Sequence, residues 1–245
     1  MREYLILSGK GGSGKTSIAA SFAVLAENCV IADCDVDAAD MHLLLVPEQK
    51  KCEDFVSGWE PFFNNKKCVS CRRCADLCRY NAIEISAGKI KYDRLSCEGC
   101  GVCSDNCPSG AISLKKRFCG HIYESTTAHG AMVGARLEAG GENSGKLVSE
   151  VRKKAKYIAN TTGADCIISD GPPGIGCPAI SALSGVSKVL LVTEPTVSGY
   201  HDLERIYELC NHFKVTANIC VNKYDLNMNI TDKVKEFAAA KGASF

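Results

Sequence analysis

The 245-residue sequence carries almost no net charge: 29 Lys and Arg stand against 28 Asp and Glu, a formal +1. That balance removes any bulk electrostatic argument for nucleic acid or for an anionic membrane surface. No apolar run approaches the roughly eighteen residues that cross a bilayer. The C-terminus has no basic amphipathic helix that would anchor the chain to one. A secretory leader is not expected either, because its cleavage would remove the first apolar strand, which feeds the motif described next. These absences point to the cytoplasm and to partners other than nucleic acid or membrane. Cysteine, by contrast, is in excess, 16 in all; in a reducing compartment that number speaks for metal rather than disulfides. With 46% hydrophobic residues the chain can bury a full core, enough for one large domain or one domain with a small insert.

Residues Tyr4 to Thr16 read as an apolar strand that runs into a glycine-rich turn and then a helix. Gly9-Lys10-Gly11-Gly12-Ser13-Gly14-Lys15-Thr16 fits the phosphate-loop pattern GxxxxGK with Thr last, and Ser17 follows. Its glycines let successive backbone N–H groups curl toward one point, an anion-binding nest at a helix N-terminus. Lys15 would reach the outer phosphates, and the Thr16 hydroxyl would complete the shell of a Mg²⁺. An apolar helix from Lys15 to Asn28 and a short strand from Cys29 to Ala32 follow. That strand ends in Asp33-Cys34-Asp35-Val36-Asp37, carboxylates at the strand end where ligands bind in open α/β sheets. Asp33 and Asp35 share a side of the extended chain. A second such place is Asp170-Gly171-Pro172-Pro173-Gly174, a carboxylate and a glycine in the DxxxG spacing of the Mg²⁺ and γ-phosphate sensor. Asn222-Lys223-Tyr224-Asp225 closes a later strand and fits NKxD, in which an Asp accepts hydrogen bonds from guanine.

From about Lys50 to Lys116 the Ala-rich texture gives way to Lys, Asn and Cys. Within it Cys68, Cys71, Cys74, Cys78, Ala82 and Ile83 recur as Cys97, Cys100, Cys103, Cys107, Ala111 and Ile112, a duplication. Each half reads CxxCxxCxxxC. Three thiolates at that interval wrap one cubane, while the fourth points at the other cluster. The pattern resembles two-cluster bacterial ferredoxins. The resemblance implies one 4Fe–4S centre on Cys68, Cys71, Cys74 and Cys107, and another on Cys97, Cys100, Cys103 and Cys78. Arg79 stands where the first half would have proline. Zinc is the rival metal for paired CxxC motifs; the third Cys at the same interval and the duplication weigh against it. The other eight cysteines, Cys29, Cys34, Cys52, Cys119, Cys166, Cys177, Cys210 and Cys220, lack ligand spacing, and most of them read as small buried hydrophobes; Cys177 stands apart because it closely follows the DxxxG motif.

The form KGGxGKT, with Lys10 as its second lysine, resembles the deviant P-loop ATPases, the family of MinD, ParA, the Mrp iron–sulfur proteins and the nitrogenase iron protein. That resemblance implies ATP and Mg²⁺ as cofactors and an ATP-dependent homodimer in which Lys10 reaches the partner's phosphates. It gives Asp35 the task of orienting or deprotonating the attacking water, Asp33 and Asp170 a share in Mg²⁺, and Gly174 the γ-phosphate. It favours ATP over GTP, with Asn222 and Asp225 at the base. Members of the family continue beyond the last helix, so the edge after Ala243-Ser244-Phe245 is expected to be absent or truncated. The expected fold is α/β, a doubly wound, mainly parallel P-loop sheet formed by residues 1–50 and 117–245, with an α+β ferredoxin-like insert over 51–116. Residues 117–137 are expected to form a hairpin around Ala128-His129-Gly130. The leading function is ATP-gated electron transfer to an unidentified redox or iron–sulfur acceptor; an iron–sulfur carrier or scaffold and a MinD-like or ParA-like positioning switch stand as alternatives.

Overall fold

The computed structural model describes residues 1–86 and 88–245. Along the chain lie β1 (Arg2–Ser8), α1 (Lys15–Leu25), β2 (Cys29–Asp33), α2 (Met41–Leu45) and β3 (Glu48–Phe63). Next come α3 (Arg73–Asp76), β4 (Ile83–Ser86), β5 (Lys89–Tyr92), α4 (Val102–Asp105), β6 (Ile112–Thr127) and β7 (Gly130–Leu137). The remainder is α5 (Ser144–Thr162), β8 (Cys166–Pro173), α6 (Cys177–Leu183), β9 (Lys188–Thr193), α7 (Val197–His212), β10 (Ala217–Val221) and α8 (Met228–Lys241). The chain divides into two compact units, one of Met1–Glu53, His121–Arg136 and Ser144–Phe245, the other of Asp54–Gly120 and Leu137–Asn143.

The first unit is a doubly wound sheet. Strand order in the eight-stranded sheet is β10-β9-β1-β8-β2-β7-β6-β3, and the contacts among β10, β9, β1, β8, β2 and β7 are all parallel. Parallel strands are buried on both faces, and Leu5, Ile6, Leu7, Val30, Ile31 and Ala32 show it, each 2% exposed or less. The connection after β1 leads through α1 to β2 on one side, whereas the crossover from β8 leads past β1 to β9 and β10 on the other. The loops after β1 and β8 therefore diverge at the strands' C-terminal ends, where a crevice forms. Ala19, Ala20 and Ala23 of α1 pack on Ile6, Ile31, Ile168 and Val192; their short side chains let the helix lie close to the sheet. The helix stops at Leu25, where Ala26 turns extended. Ile219 N–H donates to the Ser244 carbonyl at 2.9 Å, so the C-terminal tail runs beside β10.

β6 and β7 are joined by the two residues 128–129, and β6 begins at Ile112, before the hairpin expected from 117. β3 is one of the sheet's two edge strands. Below the sheet's middle, Arg152 of α5 donates to both Glu3 carboxylate oxygens at 2.7 Å and to the carbonyls of Ser181 and Ser184 at 2.7 and 2.8 Å. Glu3 is pushed up by burial, but the hydrogen bonds and charge of Arg152, with Lys156, outweigh that and hold it below the usual carboxylate range. Of the eight cysteines outside the repeat, Cys29, Cys34, Cys119 and Cys210 are buried, Cys166 and Cys220 half-buried, and Cys52 and Cys177 exposed. Cys52 lies on edge strand β3 and Cys177 opens α6, two places with little covering them.

In the second unit the duplication is visible in the backbone. Asp76 N–H bonds to Arg72 O as Asp105 N–H does to Gly101 O, at 3.0 and 3.1 Å, and Cys78 N–H to Ala75 O as Cys107 N–H to Ser104 O, both at 3.2 Å. Ile83, Ile85 and Ile112 form its small core with Cys74, flanked by Phe63, Ile90 and Tyr92. Arg117, 2% exposed, donates to the carbonyls of Arg94, Cys97 and Gly140 and to Glu142.

Candidate nucleotide and cluster sites

β1 delivers the glycine loop to the N-terminus of α1. Gly14 sits at the helix cap in a left-handed conformation, φ 85°, and a side chain there would strike the Asn222 amide. Gly9 is equally constrained, since a Cβ would collide with Asp202. Gly11 and Gly12, in contrast, would meet no protein atom within 4 Å. The Ser13 hydroxyl, 1% exposed, has no hydrogen-bond partner. An open cradle of backbone N–H groups with an orphaned buried hydroxyl fits a phosphate chain.

Beside this loop the carboxylates converge. Lys15 Nζ donates to Asp170 Oδ1 at 2.7 Å and lies 3.5 Å from Asp35 Oδ2, and the Thr16 hydroxyl donates to Asp170 Oδ2 at 2.7 Å. Asp33 accepts the backbone N–H of Asp35 at 3.2 Å and of Met41 at 3.3 Å. It thus shapes the loop between β2 and α2, a role spacing alone did not show. Burial, then the neighbouring Asp170, pushes Asp33 up to about 8. Asp35 and Asp170 are also raised, chiefly by burial, against the pull of Lys15. Three carboxylates with one lysine among them leave negative charge uncompensated, and a divalent cation at Thr16 and Asp170 suits that donor set.

Gly174, φ 82°, donates its N–H to Ser8 O at 2.9 Å, which holds the turn after β8 against the end of β1. Asn222 Nδ2 donates to Ser13 O at 2.9 Å and its Oδ1 accepts from Lys223 N–H at 3.0 Å. That residue braces the glycine loop; Asp225 is exposed, in a short 3₁₀ turn after β10. Lys10 turns away from Lys15: its ammonium donates to the Thr196 and Ser198 hydroxyls, each at 3.2 Å, and lies 3.8 Å from Glu194. Sequence reading missed Glu194, Thr196 and Ser198 as its partners. Nothing in a strand followed by Thr-Glu-Pro-Thr signals a contact more than 180 residues away.

In the second unit Cys68, Cys71, Cys74 and Cys107 line one cavity, and Cys78, Cys97, Cys100 and Cys103 line another. These are the two quartets the duplication implies, each taking its fourth thiol from the other half. Four thiols around one cavity are a donor set that fits a 4Fe–4S cluster. Backbone N–H groups of Ser70 and Gly99 point at the sulfurs of Cys68 and Cys97, both at 3.4 Å, and that of Ala111 at Cys107 at 3.2 Å. Burial works to raise Cys107, but bonds from the Ser109 hydroxyl and nearby amides outweigh it and hold the thiol below its usual value.

A protein of Methanocaldococcus jannaschii, named Uncharacterized protein MJ0578, is 38% identical over 235 residues, covering 95% of this chain and 81% of that one. The chain belongs to the family of that protein. Within the family's shared length, residues 67–111 match a model described as "4Fe-4S dicluster domain". A stretch of the chain is 34% identical over 58 residues to pyruvate synthase subunit PorD of Methanothermobacter marburgensis, covering 24% of this chain and 68% of that subunit. Among solved structures, the cell division ATPase MinD of Pyrococcus furiosus superposes with a TM-score of 0.51 at 18% identity, covering 96% of this chain and 79% of that one. The fold of this family member is that of the MinD and ParA type of P-loop ATPase with an inserted ferredoxin-like domain.

Proposed function

We propose that the protein is a dimeric, ATP-hydrolysing P-loop ATPase that carries two 4Fe–4S clusters and couples nucleotide state to electron transfer. The observation that carries the reading is the presence, on one chain, of the glycine cradle with Lys15, Thr16, Asp35 and Asp170 around it and of two complete thiol quartets. Bound ATP–Mg²⁺ supplies the phosphoryl group, and the clusters supply one-electron chemistry. The chain's own residues do the rest. The loop amides and the Ser13 hydroxyl would bind phosphate oxygens, Lys15 would turn from Asp170 to the phosphates, and Asp170 with Thr16 would hold the Mg²⁺, which would neutralise phosphate charge. Asp35, its basicity raised by burial, holds the attacking water and takes its proton. Lys10 leaves Thr196 and Ser198 to meet the phosphates of a second copy.

The route between nucleotide and clusters is the chain itself. Asp33 holds the N–H of Met41, the first residue of α2, and three residues after α2 begins β3, a single strand that ends in the cysteine-rich unit. A change at Asp33 and Asp35 is therefore passed to α2 and β3.

The test is anaerobic redox titration monitored by EPR, with and without a non-hydrolysable ATP analogue, beside ATPase assays on oxidised and reduced protein. Two cluster signals whose potentials move with the analogue are expected. Identical potentials, or clusters that pass readily to an apo-protein, would sink the gating and favour a carrier instead.

A further inference from the structure

The two halves of the cysteine-rich unit share a backbone, so each is a control for the other. Three left-handed corners recur. In the second half they are glycines, Gly99, Gly101 and Gly110, at φ 64°, 82° and 59°; in the first they are Ser70, Arg72 and Asn81, at φ 54°, 68° and 52°. Asn tolerates that conformation, whereas a long side chain such as arginine is strained there. Arg72 thus occupies a corner that its own sister sequence builds with glycine, and strain kept at one of two equivalent places points to a use for the side chain.

Its surroundings say which use. Lys66, Lys67, Arg72, Arg73 and Arg79 are all exposed, and among the described residues none of them forms an ion pair. Asp76 is the only carboxylate between Lys66 and Tyr80. At the equivalent five places the second half has Leu95, Ser96, Gly101, Val102 and Pro108; it keeps Asp105 as the counterpart of Asp76 and adds Glu98 where the first half has Val69. Arg72 and Arg73 line the same cavity as the first thiol quartet, whereas Glu98 lines the second. Beside Arg72 and Arg73 on that first cavity stands Val69, 65% exposed. Unpaired cations around an apolar centre are what a short-lived, electrostatically steered complex uses.

We propose that the face around Cys68, Cys71 and Cys74 docks an acidic electron-transfer protein, a reduced ferredoxin, which delivers its electron to the first cluster. This rests on the redox reading above. One electron leaves the partner's reduced cluster and enters the cluster held by Cys68, Cys71, Cys74 and Cys107; no bond or proton moves. The second half, with its carboxylates, repels the same partner and leaves the first cluster as the port of entry.

The probe is a reduced, strongly acidic plant-type 2Fe–2S ferredoxin, mixed anaerobically with cluster-loaded protein in a stopped-flow spectrometer, with its oxidised form titrated in parallel by calorimetry. The variant R72G/R73V places the second half's residues in the first, and E98Q/D105N is the control. The wild-type association rate is expected to fall about 10- to 100-fold from low to physiological salt. R72G/R73V should lose roughly tenfold in rate and affinity at low salt, with a flatter salt dependence and no loss of melting temperature or cluster absorbance, because glycine relieves the corner. E98Q/D105N should be unchanged or faster. Equal rates for wild type and R72G/R73V, slowing confined to E98Q/D105N, or binding to DNA or anionic vesicles in place of ferredoxin would overturn the proposal. Arg72-dependent ferredoxin binding that ignores nucleotide would leave it standing while removing the ATP gating.

Discussion

Lys10 is held by its own chain, and in the proposed homodimer that hold would set a measurable threshold for association. Its ammonium makes two hydrogen bonds to hydroxyls, each 3.2 Å, and a looser ion pair of 3.8 Å with Glu194, while 31% of the side chain is exposed. A net hydrogen bond contributes about 1 kcal/mol, and an exposed ion pair of this length little more than zero. Releasing Lys10 therefore costs about 1–2 kcal/mol, or roughly 5- to 30-fold in any equilibrium that requires it elsewhere. The perturbation is E194Q/S198A, which leaves Thr196 in place because its hydroxyl caps α7 by accepting the Gly199 N–H at 3.0 Å. Because the Thr196 bond remains, the variant removes about 1 kcal/mol of the hold; in sedimentation experiments with Mg²⁺ and a non-hydrolysable ATP analogue, the dimer dissociation constant should fall by about 5-fold for each Lys10 released. K10A in the same background should erase the gain. A dimer constant unchanged within about twofold would show that Lys10 is not held back by these contacts, and the threshold would have to be sought elsewhere.

Removing the guanidinium in Arg152→Met strands the buried Glu3 carboxylate. A loss of about 3–5 kcal/mol, or roughly 6–20 °C in melting temperature for a chain of this size, is expected by thermal unfolding. Glu3 is held below its ordinary value of 4.5, so its stabilisation is present above that pH and disappears as pH falls through the folded value. Glu3→Gln should flatten this acid limb, and an unchanged limb would assign it to other groups. Asp33 has the opposite sign. Its folded value of about 8 stands above the ordinary 3.8, so its contribution is full below the ordinary value and is lost as pH rises toward 8. In nucleotide-free and Mg²⁺-free protein, stability measured by urea midpoints should decline from pH 5 to 8, and Asp33→Asn should shallow that slope; a steeper one would refute the assignment. Cys107→Ser should lower iron from about eight to about four atoms per chain and remove the same EPR signal as Cys71→Ser, whereas Cys78→Ser should remove the other. Loss of one signal by both Cys107→Ser and Cys100→Ser would break the quartet assignment.

Much of the nucleotide site was legible because its signals are local. The glycine loop, the strand before it and the helix after it lie within one short stretch, and the apolar runs of β1, β2 and β9 match strands buried on both faces. The quartets were legible for a different reason, since cysteine spacing follows from what a cubane needs. β3 was not legible. Its first residues, Glu48-Gln49-Lys50-Lys51-Cys52-Glu53, look like a solvated linker, yet they form an edge strand, where charge on both faces guards an open edge. Long-range polar contacts were equally hidden. Arg152 and Glu3 are 149 positions apart, and neither periodicity nor motif marks the pair. The family resemblance points Asn222 at the base, but nothing in the NKxD motif signals that its amide also spans 209 positions to the loop carbonyl of Ser13.

Each thiol quartet borrows its last member from the opposite half, Cys107 for the first and Cys78 for the second. Neither half is therefore self-sufficient: a peptide ending between them would hold four cysteines, three of one set and one of the other, and complete neither. A solitary ancestor of that length could have completed its ligand shells only by pairing with its twin, each lending the other a single cysteine. Tandem duplication would then have turned an encounter that depended on concentration into one guaranteed by the backbone. That would have left one copy free to gather arginines while the other kept its glycines.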